Sequence, residues 1–280
     1  MNCKFCNSDN CTVKKKIQSE HNQQLYDLYF CHACGSCFFN DKQYSTSFKE
    51  LYDRISTSGE NLTNDFVPSR KWHKQVFIIK KLLSKSPRSV LDVGCRTGDF
   101  LLHFGKETEC EGVEISDYYA GIGRQRGLTI YNNFLENVDF KRKYDVVSAY
   151  AIMEHLVDPL KFIDKLNQIV NRDGLLVILI PTYQCFKRKF FDFLGKRWHM
   201  YSPPEHLNFY SRDFLDRFLS EKGFYLVKRF YTSGGMIKLF PNLPFLNKIA
   251  SKLMELSDNS FLNRLPIFDH MYSYYILKLQ

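Results

Sequence analysis

The stretch VLDVGCRTGDF, residues 90–100, is an apolar run that turns through two glycines toward a helix. Val90, Leu91 and Val93 read as a strand, and Gly94 and Gly98 as the punctuation after it. Such a turn gathers backbone N–H groups and the positive end of a helix dipole at one point, which suits an anionic ligand group. A dinucleotide turn would space its glycines G-x-G-x-x-G, and a triphosphate loop would read G-x-x-x-x-G-K-[ST]. Here Arg96 stands between Gly94 and Gly98, where close backbone approach would be needed, so NAD and nucleoside triphosphates are disfavoured.

Around this turn, β-rich and helical patterns alternate. PSRKWHKQVFIIKKLL, from Pro68, repeats Trp72, Val76, Ile79 and Leu83 at helical spacing. After residue 98 come a helical DFLLHFGKE, a strand CEGVEIS, a helix YYAGIGRQRG, a third strand, and the strand YDVVSAY. Asp158 and Pro159 then open a helix as N-cap and first helical residue, and an NRDG turn leads into the strand GLLVILI. Residues 181–210 read as irregular, aromatic and basic; Ser211 caps RDFLDRFLSEK; FYLVKRFY and MYSYYILKL complete the sheet. The pattern predicts an α/β fold, a doubly wound seven-stranded sheet, over residues 68–280, with 233–269 as a helical insertion before the last strand. The polar residues 41–67 read as a connector, and residues 1–40 as a separate module.

No apolar run reaches the roughly 18 residues that span a bilayer, and MNCKFCNSDN lacks a signal-peptide core, so the expectation is a cytoplasmic protein. Six of the nine cysteines fall within the first 37 residues. Cys3-x-x-Cys6 and Cys31-x-x-Cys34 are two knuckles separated by 24 residues, and four thiolates so arranged can surround a zinc ion. A full set of four sulfurs makes that zinc structural, in place of the core that about 40 residues cannot supply. Thiol redox chemistry is the competing reading, and Cys37 or Cys11 could replace a ligand. The formal charge of +9 is spread over clusters at 14–16, 141–143, 187–189 and 196–197, which suit solvated faces, a phosphate-bearing substrate, an anionic membrane or nucleic acid.

VLDVGCRTGDF resembles the first motif of class I S-adenosylmethionine-dependent methyltransferases, matching it at Asp92, Gly94 and Gly98 and departing from it at Arg96. The resemblance implies a Rossmann-like methyltransferase sheet whose loop takes the methionine end of S-adenosylmethionine. Gly94 and Gly98 would permit backbone approach, Cys95 would lie alongside, and Asp92 would order the amino group. Glu114 ends the second strand 22 residues beyond Asp92, where an acid accepts from two ribose hydroxyls. Asn133, Phe134 and Leu135 match the adenine wall, with Phe134 replacing the family's usual acid, and Tyr150 closes the fourth strand beside the cofactor. Tyr150, Trp198 and Tyr201 also suit an acceptor pocket, although single aromatics are more often core.

Methyl transfer from a sulfonium needs the acceptor oriented and its proton removed, so histidines draw attention. His206, in a segment (181–210) that resembles one closing over the acceptor site, and His155, just beyond the fourth strand, are the candidate bases; His199 is a third histidine of the region. In quinone O-methyltransferases a related Glu-x-x-Glu-His carries a metal, but Ala151 holds the first acidic position here, which argues against one. A zinc ribbon followed by such a domain resembles bacterial methyltransferases of sugar and cell-surface glycan modification. The expected reaction is methylation of an oxygen or carbon of a small molecule or glycan precursor, with peripheral contact to an anionic membrane through FKRKFFDFLGKRW. The alternatives are an RNA or protein methyltransferase, with nucleic acid the weaker partner, or a binding protein whose cofactor loop has decayed at Arg96.

Overall fold

The structure, a computed structural model, describes residues 1–40, 67–232, 265–266 and 270–277. The expected connector 41–67 lies outside the described residues apart from Val67, as does the expected insertion 233–269 apart from Leu265 and Pro266. The strands are β1 (Cys11–Gln18), β2 (Leu25–Cys31), β3 (Cys37–Phe39), β4 (Ser89–Val93), β5 (Glu109–Val113), β6 (Thr129–Tyr131), β7 (Tyr144–Tyr150), β8 (Val170–Pro181), β9 (Asn208–Phe209), β10 (Phe224–Thr232) and β11 (His270–Leu277). The α-helices are α1 (Arg70–Leu83), α2 (Asp117–Gln125), α3 (Pro159–Ile169), α4 (Phe186–Phe193) and α5 (Arg212–Glu221).

Seven strands form one sheet in the order β10-β11-β8-β7-β4-β5-β6. The five from β8 to β6 run parallel, while β11 is antiparallel to both of its neighbours. All five residues of β4 are buried, as a central strand covered on both faces requires. Side-chain alternation divides the core in two. Leu91, Val147 and Leu176 pack under Phe162 and Leu166 of α3 and Leu215 of α5; Val90, Val146 and Leu175 pack under Val76 and Ile79 of α1 and Ala120 of α2. The predicted caps form: Asp158 accepts from the Lys161 N–H at 3.0 Å and Ser211 from the Phe214 N–H at 3.1 Å.

Three local expectations change. The helix expected after β4 is one 3₁₀ turn, Leu101–His103; Phe104 already has extended backbone and Gly105 follows. β8 begins at Val170, because the NRDG residues bulge out of the ladder: Tyr144 pairs with Val170, but Val146 pairs with Leu175. The stretch 181–210 is only partly irregular, since it contains α4 and β9.

The amino-terminal residues are joined to the rest through backbone. β1, β2 and β3 form an antiparallel sheet, and β9 adds to its edge with Phe38 opposite Asn208 and Cys37 opposite Phe209. A third core lies under it, in which Tyr26, Leu28 and Phe39 meet Trp198, Tyr201 and Phe209. Trp198 and Tyr201, offered as acceptor-pocket residues, are fully buried in this core.

Gly112, in the middle of β5, has no room for a side chain: a Cβ there would collide with Cys95 Sγ and lie 2.8 Å from Ile130 Cδ1. Gly112→Ala is expected to lower stability by about 1–3 kcal/mol in urea denaturation. Adding Cys95→Ala should recover part of that loss, and strict additivity of the two would contradict the contact.

Candidate cofactor cleft and the cysteine cluster

The turn after β4 holds a carboxylate. Gly94 (φ 72°) and Cys95 both direct their N–H groups at the Val113 carbonyl, at 2.8 and 3.1 Å. Arg96 (φ 50°) then donates its backbone N–H to Glu114 Oε2 at 2.9 Å, while Ser116 N–H donates to Glu114 Oε1 at 2.8 Å. The N–H groups of residues 94–96 are therefore engaged within the protein, and only a 3₁₀ turn follows. The anion-binding point expected at this turn is replaced by a grip on Glu114. Burial pushes the Glu114 carboxyl up, and the two backbone donors hold it down. Each carboxylate oxygen keeps a lone pair beyond the bond it accepts.

Glu114 opens onto a cavity of about 390 Å³ at the carboxyl ends of β4, β5 and β7, the usual position of a site in such a sheet. Gly94, Phe134, Leu135 and His155 line it as well, together with Asn133. Other candidate residues stand elsewhere. Asp92 has the opposite parity to Val93, so its side chain lies on the α1 face, where it accepts from Ser148 Oγ at 2.6 Å and burial pushes it up to about 7. Cys95 packs its sulfur over Gly112, and the missing side chain of Gly98 (φ 78°) faces Leu128. Tyr150 also lies on the α1 side, with ring centroids 5.1 Å from Trp72 and 5.1 Å from Phe100. Its buried hydroxyl has no hydrogen-bond partner among the described residues. The Arg96 guanidinium sits 4.7 Å over the Tyr119 ring and donates to its hydroxyl at 3.1 Å, so it does not line the cavity.

The two candidate bases are neighbours, with ring centroids 4.9 Å apart. The Nδ1–H of His155 donates to the Glu205 carbonyl at 2.8 Å, and that of His206 to the Met200 carbonyl at 2.9 Å. Burial lowers both, His155 to about 3, so both rings are neutral at physiological pH. Glu154, the second acid of the Glu-x-x-Glu-His comparison, is 2% exposed with Oε2 unpartnered among the described residues, and burial pushes it up to about 8. It brings a ligand-type atom within 4.8 Å of those of His155 and His206.

Asn208 is a residue the sequence did not reveal. Fully buried, it donates through Nδ2 to the carbonyls of Met153 (2.9 Å) and Leu156 (2.7 Å). Tyr210 Oη donates to Met153 O at 2.7 Å and Leu207 N–H to Glu154 O at 2.7 Å. The 153–156 turn, which carries His155 to the cavity, thus hangs from the strand that continues the amino-terminal sheet.

That sheet ends in the cysteine cluster. Sγ atoms of Cys3 and Cys34 are 3.7 Å apart and those of Cys6 and Cys31 3.6 Å, with all four within 4.8 Å. A tetrahedral ZnS₄ site with bonds of about 2.3 Å has sulfur–sulfur edges of about 3.8 Å, so the donor set and spacing fit such an ion. Phe5 N–H points at Cys3 Sγ at 3.4 Å, and Ser211 Oγ donates to Cys34 O at 2.6 Å. Cys11 and Cys37 lie outside this set; burial pushes them up to about 11 and about 12.

Two stability effects follow from these contacts. Asn208→Ala leaves two buried carbonyls without this donor and is expected to cost about 2–4 kcal/mol in urea denaturation. Glu154, raised from 4.5 to about 8, binds its proton more tightly folded than unfolded, so its contribution is complete below about pH 4.5 and is lost as pH rises to about 8. Glu154→Gln should therefore melt higher than the parent at about pH 8 but close to it at about pH 5, and a pH-independent difference would refute the buried-acid assignment.

A family model described as a methyltransferase domain matches residues 71–229. The C-methyltransferase UbiE of ubiquinone/menaquinone biosynthesis from Citrifermentans bemidjiense is 23% identical over 199 residues, 61% of this chain and 84% of that protein. Among solved structures, the N-methyltransferase NodS from Bradyrhizobium japonicum WM9, in complex with S-adenosyl-l-homocysteine, superposes with a TM-score of 0.52 at 12% identity over 82% of this chain and 99% of its own. A chain from the complex between the Haloferax volcanii Trm112 methyltransferase activator and a methyltransferase gives 0.56 at 13% identity, over 84% and 99%. With the family match spanning more than half of its residues, the chain belongs to the methyltransferase-domain family, as a class I S-adenosylmethionine-dependent methyltransferase.

Proposed function

We propose that the cavity at Glu114 takes the adenosine half of S-adenosylmethionine and that the acceptor is an oxygen or carbon of a small molecule or glycan precursor. One observation carries the cofactor reading: the Glu114 carboxylate is fixed by two backbone donors at the lip of the cavity, with acceptor capacity left for ribose hydroxyls. Phe134 and Leu135 offer apolar walls for the adenine, and Gly94 offers backbone without a side chain. The methionine half would extend toward the α1 face, where Asp92 and the unpartnered Tyr150 hydroxyl supply polar atoms.

The bound cofactor supplies a methyl group already activated on a sulfonium, so the protein's part is orientation and proton removal. His155 lines the cavity as a neutral imidazole whose Nδ1–H is fixed by a carbonyl, and His206 stands behind it in the same state. His155, which lines the cavity, is the ring placed to take the acceptor's proton as its oxygen or carbon bonds the methyl, with His206 the other candidate if the acceptor reaches past it. The four cysteines would hold a structural zinc that fixes the amino-terminal sheet, and with it the 153–156 turn. Gripping of RNA by the basic segment is less favoured: Arg188 is buried and paired with Asp192, and Arg197 is paired with Glu20.

Isothermal titration with S-adenosylhomocysteine is expected to register binding, and Glu114→Ala should weaken it about 10- to 100-fold through loss of the ribose acceptor. Unchanged affinity in a folded Glu114→Ala protein would remove the cofactor assignment. His206→Ala or His155→Ala should lower turnover at least about a hundredfold, with cofactor affinity kept for His206→Ala, if that ring is the base. Metal analysis should find one zinc per chain, lost in Cys34→Ser.

A further inference from the structure

We propose that the outward face of α4 docks shallowly on an anionic lipid bilayer. Helices on the surface of water-soluble domains turn their apolar stripe inward and their charges outward. α4 turns Phe191 toward the third core, but its one buried residue is an arginine and its other large apolar residues face outward. Its inward side carries Arg188, 7% exposed, which donates through Nε to Tyr183 O at 2.5 Å and through Nη1 to Asp192. Asp192 also receives Lys15 Nζ from β1 at 3.3 Å. These charged contacts fasten the helix to the body.

What is left outside is apolar. Phe186, Phe190 and Phe193 are 62%, 42% and 85% exposed, and Leu194, which follows the helix, is 47% exposed. Their spacing of i, i+4, i+7 and i+8 makes one continuous stripe, and the rings of Phe186 and Phe190 stack at 6.1 Å. Large exposed apolar side chains along one helix face suit shallow insertion between lipid headgroups.

Charge chooses the surface. Lys187, Lys189 and Lys196 border the stripe, and the single acid between residues 186 and 197 is Asp192, which faces inward to Arg188 and Lys15. Lysines beside large apolar residues can reach lipid phosphates while the rings enter the acyl boundary. Among the described residues no helix is long and apolar enough to cross a membrane, so the mode is lying on it. The docking itself does not depend on which acceptor is methylated.

The test is flotation of the full chain with vesicles of phosphatidylcholine alone or with about one-third phosphatidylglycerol. The expected result is flotation with the anionic vesicles and little with the neutral ones. Phe190→Ser/Phe193→Ser and Lys187→Glu/Lys189→Glu should each reduce it at least about fivefold, with melting temperatures near the parent's. A Phe193→Trp protein should show indole emission of an exposed ring that shifts blue on adding anionic vesicles. Parent protein left at the bottom of the gradient, or a phenylalanine double variant that floats like the parent, would overturn the proposal. So would indole emission from the Phe193→Trp protein that is already blue before lipid, since another part of the chain or a second copy would then cover the face.

Discussion

A buried carboxylate must find donors or lose its charge, and the way Glu114 finds them shapes the cleft. The parallel register sets Val93 beside Val113, which brings Gly94 and Glu114 out of the sheet side by side. The chain after Gly94 then takes left-handed backbone at Gly94 and again at Arg96, and this turns the Arg96 N–H onto Oε2. A non-glycine residue with positive φ is tolerated there because the bond to a desolvated carboxylate offsets the steric cost. The same turn points the Arg96 side chain outward to Tyr119, which leaves the cavity open where the sequence had placed an obstruction.

A second constraint couples distant parts of the chain. Two residues of β9 pair with β3 on one side, and on the other the segment 207–210 satisfies the carbonyls of Met153, Glu154 and Leu156. The cysteine cluster is one short strand away, tied through Ser211 to Cys34. A sheet of about 40 residues has too little apolar area to be stable alone. Here it shares a core with Trp198, Tyr201 and Phe209, so the order of residues 198–210 and the order of the amino-terminal sheet are one property.

What the sequence made legible was local. Apolar, β-rich runs alternating with helical patterns revealed the seven strands, the C-x-x-C spacing revealed the four cysteines that meet, and the distance from Asp92 to Glu114 revealed the acid at the cavity. The motif singled out Asp92 but not the face it lies on, which parity makes that of Val90, under α1. Asn208 gave no signal, since a polar residue in a loop-like segment reads as solvated until a distant carbonyl arrives beside it. The helix after β4 failed for a nearer reason: with glycines at 98 and 105 around it, the segment is fixed by packing of Phe100 and Leu101 and not by propensity.

Charge shows why local geometry outweighs composition. The chain carries +9, and S-adenosylmethionine, with a sulfonium, an ammonium and a carboxylate, is itself a net cation, so the overall field opposes the cofactor. At physiological ionic strength that field is screened beyond about 8 Å, and the residues within that distance decide. Around the cavity stand Glu114, Glu136 and Asp158 against Lys161, a local excess of acid. Burial keeps His155 and His206 neutral, so the histidines add no opposing charge. The basic residues that give the protein its net charge lie elsewhere, in part along α4, and this separation lets one molecule present a cationic surface outside and an acidic cleft within.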